Sequence, residues 1–197
     1  MAFSTIQGSG GAPDSFVGTS GVDSIGLVNT AGNFFLGAQE DNDVIGFIAS
    51  GNAPVVAGAT ARGGDGVDAF ETTGDVTFNG VFFNGNAGGD DFFSVANVVT
   101  FANSTLLGGQ DDDIFEIDVL SNSIVNGNKG GDTIDVGASS ASTIRGGQDN
   151  DKLCIDTISN SVANGNKGND IISIDTTLNS SIFGGEGNDQ IFLNGDI

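Results

Sequence analysis

Residues 160–178 read "NSVANGNKGNDIISIDTTL", residues 141–159 "ASTIRGGQDNDKLCIDTIS" and residues 122–140 "NSIVNGNKGGDTIDVGASS". Overlaid, the three segments agree at a period of nineteen. Each carries Ser at its second place and an apolar residue at its fourth. A glycine-rich acidic hexad follows and closes on Asp, with apolar residues two and four places beyond. A repeat of this length marks an architecture in which no single unit can bury its own apolar face, so the copies must stack.

The hexad recurs outward from this block. It reads "GTSGVD" (18–23), "AQEDND" (38–43), "GGDGVD" (63–68), "GGQDDD" (108–113), "GNKGGD" (127–132), "GGQDND" (146–151), "GNKGND" (165–170) and "GGEGND" (184–189). A ninth loop, "GNAGGDD" (85–91), reads as holding one extra residue, which makes Asp91 its closing Asp. Counted this way, the spacing is nineteen from Asp113 onward and 20, 25, 23 and 22 before it. Two places after the Asp come Ile25, Ile45, Phe70, Phe93, Phe115, Ile134, Leu153, Ile172 and Ile191; four places after, eight of nine residues are apolar. Alternation of this kind is the pattern of a half-buried β-strand. Seven places before the Asp lies another apolar column, including Leu36, Leu106, Val125, Ile144 and Ile182. Nine places before it the regular units all carry Ser, usually behind Asn, which predicts a second turn poor in acid. Each unit is therefore strand, turn, strand, turn.

The expected fold is an all-β, right-handed parallel β-solenoid or β-roll of about nine coils, with one acidic Gly/Asp turn per coil. Rising about 4.8 Å per coil, it makes a rod about 40 Å long. Residues 1–17 are expected to form a cap or assembly segment, 18–107 irregular Phe-rich coils and 108–197 regular coils ending uncapped at "IFLNGDI". An uncovered strand edge invites pairing. Self-association, end-to-end or lateral, or cover by another structural subunit is the expected partnership.

Composition narrows the function. The 197 residues hold 26 acidic and 5 basic side chains, for a formal net charge of −21. That balance excludes a phosphate-binding surface for nucleic acid and favours a bound cation. No stretch is long and apolar enough for a transmembrane helix. The chain has no His, and its one cysteine, Cys154, has no histidine to activate it. Arg62 and Arg145 are the only arginines and fall in different coils, a poor basis for holding an acidic sugar in a lyase. The position three before the Asp holds Gln110, Lys129, Gln148, Lys167 and Glu186, too varied for an ice-binding row. A non-enzymatic protein is expected. "MAFSTIQGSGG" carries neither a basic nor an apolar signal region, so type I-like export to the cell surface is the leading expectation and a virion the alternative.

Glycine and Asn tolerate positive φ and turn carbonyls inward, while Asp adds a hard charged oxygen. Oxygen-only donors on loops suit Ca²⁺ better than Mg²⁺ or softer metals. Like charges repeated across adjacent strands repel, and a cation between coils reverses the sign. The hexads, above all "GGEGNDQIF" (184–192) and "GNKGNDIIS" (165–173), resemble the RTX family of calcium-binding β-rolls, over roughly residues 18–193. The resemblance implies Ca²⁺ held by loop carbonyls and the closing Asp68, Asp91, Asp113, Asp132, Asp151, Asp170 and Asp189. Asp111 and Asp149 stand where the family has a mid-loop glycine, and are candidates for added side-chain ligands. One acidic turn per nineteen residues departs from the two-sided eighteen-residue coil and is similar to one-sided calcium solenoids of large adhesins. The function expected is a calcium-binding structural or adhesive rod of a surface layer, filament or matrix; the alternatives are a virion component or the carrier array of a type I-secreted enzyme or toxin.

Overall fold

The computed structural model describes residues 4–7, 14–17, 21, 24–28, 34–48, 55–93 and 97–195. The chain is a parallel β-solenoid. Every described strand pairing is parallel, and strands of one sheet come from successive coils. One sheet has nine described strands, each running into one of the nine acidic hexads of the sequence; the other has thirteen. Ser4–Gln7 and Asp14–Val17 already belong to these sheets.

In the regular half, each coil has one long and one short strand. Ile114–Ser121, Thr133–Ser140, Lys152–Ser159 and Ile171–Leu178 stack in the larger sheet. Thr105–Gln110, Ile124–Lys129, Thr143–Gln148, Val162–Lys167 and Ser181–Glu186 stack in the smaller. The period-two pattern works as expected: Phe115, Ile134, Leu153 and Ile172 form one fully buried column, and Leu106, Val125, Ile144 and Ala163 face it. A third inward column, seven places after the closing Asp, alternates large and small: Leu120, Ser139 and Ile158 are all buried. The sequence pattern hid it because Ser139 interrupts the apolar run.

The second turn is a single tight corner. Asn103, Asn122, Ala141, Asn160 and Asn179 take φ of 48–52°, a left-handed conformation that Asn tolerates better than most residues. Behind each sits the predicted Ser, and Ser104, Ser123, Ser142 and Ser161 form a buried ladder. The N–H of Ser104 donates to Ser123 Oγ (2.9 Å), that of Ser123 to Ser142 Oγ (3.1 Å) and that of Ser142 to Ser161 Oγ (2.9 Å). Each hydroxyl in turn donates to the carbonyl two residues back.

In the longer coils before Asp113 the larger sheet splits. Ala69–Thr72 and Val76–Asn79 are separate strands, as are Asp91–Phe92 and Val99–Ala102, and both strands of the latter pair with Ile114–Ser121. The wider interior is filled with Phe. Phe70, Phe92 and Phe115 stack with centroids 4.5 and 4.4 Å apart, while Phe47, Phe78, Phe83, Phe93 and Phe101 pack as a cluster.

The register corrects the reading of the ninth loop. Asp91 pairs with Ala69 and Ile114, each the first residue after a closing Asp. The turn therefore closes on Asp90, is the normal six residues long, and its spacings are 22 and 23 rather than 23 and 22. The irregularity falls after Phe92, where Phe93 turns inward at φ 71° and is 1 % exposed. Two adjacent apolar Phe residues misled the count; Val95, expected as the next inward residue, lies outside the described residues.

Phe92 is fully buried between two stacked rings. Phe92→Ala is expected to cost about 3–5 kcal/mol, measured by urea denaturation under folding conditions. Phe183→Ala, at an exposed site, is expected to change stability by less than about 0.5 kcal/mol.

Candidate metal centre: the stacked aspartate ladder

The closing Asp residues do not project into solvent. Residues two and four places beyond them face the core, so by strand alternation the Asp faces it too. Asp68, Asp90, Asp113, Asp132, Asp151 and Asp170 are all 0–2 % exposed, as is Asp43. This signal was present in the sequence, in the same columns that defined the strands.

Each carboxylate spends one oxygen on its neighbour. The N–H of Asp43 donates to Asp68 Oδ1, that of Asp68 to Asp90 Oδ1, and that of Asp90 to Asp113 Oδ1, all at 2.8 Å. The series continues through Asp113 to Asp132, Asp132 to Asp151 and Asp151 to Asp170 at 2.9 Å, and Asp170 to Asp189 at 3.0 Å. Each coil's turn is thus tied to the next coil's side chain. One residue earlier, a second ladder runs the other way. The N–H groups of Val67, Gly131, Asn169 and Asn188 donate to the Oδ1 of Asn42, Asp112, Asn150 and Asn169 in the preceding coil. Sequence reasoning gave this position no role.

The other oxygen is the telling one. Oδ2 of Asp68, Asp90, Asp113, Asp132, Asp151 and Asp170 is buried and has no hydrogen-bond partner within the protein. It leans over the glycine that opens its own turn: a methyl group on Gly63, Gly85, Gly108, Gly127, Gly146 or Gly165 would collide with it. That glycine is required for side-chain space, not for φ. The carbonyl of the corresponding glycine in the next coil borders the same space at Gly63, Gly85, Gly108 and Gly165.

An orphaned, buried carboxylate oxygen is costly as an anion. Burial pushes the carboxyls up: Asp113 and Asp151 to about 8, Asp90 and Asp132 to about 7, Asp68 to about 6, and Asp170 in the same direction. Hydrogen bonds from the neighbouring Asp N–H groups oppose the rise, and nearby carboxylates add to it.

The remaining candidates stand elsewhere. Asp111 and Asp149 take φ of 71° and 76°, the left-handed backbone that Gly130 and Gly168 adopt at the same position, and lie exposed on the rim of the turn. They preserve the loop's shape without joining the ladder. Asp91 lies one place past it; Asp189 is its last described member.

The donor set fits a hard cation: orphaned carboxylate oxygens and glycine carbonyls, without sulfur or imidazole. Among the described residues no point gathers three or more Asp, Glu, Cys or His groups. A cation would therefore depend on carboxylates of adjacent coils supplemented by carbonyls. Searches against known protein families, curated proteins and solved structures found no significant match for this chain.

In EDTA, the ladder makes stability pH-dependent. The unfolded carboxyls ionise near their ordinary value of 3.8, whereas the folded ones hold protons up to about 6–8. The folded state thus binds more protons in between, and stability falls as pH rises from about 4 to about 8; melting temperatures are expected to fall steadily across that range until, near pH 8, the metal-free chain no longer folds. Asp132→Asn keeps an acceptor for the Asp113 N–H and removes the buried charge, so at pH 7 in EDTA it is expected to melt no lower than the native protein. Asp132→Ala strands that N–H and is expected to lose about 1–3 kcal/mol.

Proposed function

We propose that this chain is a calcium-binding structural rod of the RTX type, a building block of an extracellular surface layer, filament or matrix. The observation behind this reading is the column of orphaned, buried Asp oxygens, one per coil from Asp68 to Asp170. A rod held together by such a column is stable only when its charge is neutralised. Outside the cell, at neutral pH, abundant calcium would serve. The closing Asp residues and glycine carbonyls of adjacent coils would hold it, and it would supply positive charge between carboxylates that otherwise repel. The ladder ties each coil's turn to the next, which supports a mechanical rather than catalytic role.

Circular dichroism during a calcium titration at pH 8, from an EDTA-treated start, tests this. A coil-to-β transition with calcium but not magnesium is expected, as linkage requires of a site made only on folding. The midpoint is expected to move to higher calcium in Asp132→Asn. A β spectrum complete in EDTA and indifferent to calcium would overturn the proposal.

A further inference from the structure

The formal charge of −21 is unevenly distributed over the described surface. The outward side of the larger sheet carries Glu71, Glu116, Asp118, Asp135, Asp156 and Asp175, all exposed, against the single cation Lys152. Partial desolvation, and then the Asp156 charge, push the Asp135 carboxyl up, while Lys152 opposes the rise. The outward side of the smaller sheet is the opposite. Its two described outward rows, from Thr60 and Arg62 to Ser181 and Phe183, contain no carboxylate. Arg62 and Arg145 project from them, and Lys129 and Lys167 stand at their turn-side border, with Asp65 and Glu186 at its two ends. Four of the five basic residues therefore fall on this side of the rod.

Arg145, Lys129 and Lys167 have no ion-pair partner among the described residues. Arg62 lies over the rings of Phe35 and Phe82, at 5.8 and 5.9 Å, and keeps its charge outward. The two faces also carry opposite charges in four coils. Arg62 precedes and Glu71 follows one acidic turn, as Arg145 and Asp156 do another, while Lys129 and Lys167 stand within the turns that lead to Asp135 and Asp175. The coil closing at Asp113 adds Glu116 and Asp118 to the acidic face without a cation. Both faces belong to one solenoid, so they share one axial rise.

We propose that the smaller-sheet face of one rod docks on the larger-sheet face of a second copy, with the rods parallel and in coil register. The interface is heterologous, so each rod offers one face of each kind and the contact propagates sideways into a layer. Six coils at about 4.8 Å and strands about 20 Å wide give about 600 Å² per rod, or about 1,200 Å² in total, the low end for a specific contact. Association is accordingly weak, driven by charge and sensitive to salt. This deepens the reading of the protein as a building block and rests on it.

The test is sedimentation velocity on the full chain, at a calcium concentration where circular dichroism shows β structure, in low and high sodium chloride. Native protein is expected to associate at low salt and to lose about tenfold or more in affinity at high salt. Arg145→Glu with Lys167→Glu, and separately Asp156→Lys with Asp175→Lys, are each expected to abolish association while retaining the β spectrum. Mixing the two variants restores complementary faces and is expected to restore assembly. Monomeric native protein at low salt, association indifferent to these charges, or folded variants that fail to recover on mixing would each overturn the face pairing. None of those outcomes touches the calcium-dependent fold, which the dichroism reads separately.

Discussion

A carboxylate buried once per coil is the constraint on which the rest of this structure depends. Each ladder Asp supplies the acceptor that locks the previous coil's turn, so the residue cannot simply be replaced by an apolar one. The same burial leaves its second oxygen without a partner. In water such a group is an anion; in the interior it must take a proton or a cation. The repeating glycine follows from this, because only a residue without a side chain leaves space for the carboxyl to fold over the turn. The stack therefore couples backbone geometry, side-chain space and charge at one position, repeated along the rod.

The two ends of the coil solve the same problem differently. At the Ser corner the ladder is neutral, and every hydroxyl both accepts from a neighbouring coil and donates to a carbonyl. At the Asp corner only half of the side chain's capacity is used. One corner is thus stable whatever the solution holds, while the other depends on it. In the longer coils Phe stacking supplies added apolar contact, and Phe70, Phe92 and Phe115 run as one column into the regular half.

Much of this was legible in the sequence, because the periodicity carries both strand length and facing. The nineteen-residue spacing, the Ile/Phe columns and the alternating Gly and Asn at the second place of the regular hexads map directly onto parallel strands and left-handed residues such as Asn128 and Asn166. The inward aim of the Asp was also encoded, since it shares parity with Ile134 and Val136, but a charged residue is intuitively placed outside. The ninth turn was miscounted because Phe92 and Phe93 are both buried, and only strand register distinguishes the one in the ladder's phase. The Ser139 column and the reverse ladder through Asp112 and Asn150 depend on cross-coil contacts that one unit's composition does not reveal.

The central claim is that the ladder carboxyls are neutral in the folded chain unless a cation replaces the proton. Infrared spectroscopy of the chain with isotope-labelled aspartate reads this directly, because protonated and ionised carboxyl groups absorb separately. At neutral pH in EDTA, wherever β structure is present, the account predicts a protonated Asp population that converts to the ionised form when calcium is added. A fully folded, metal-free chain at pH 7 with every Asp ionised would contradict it.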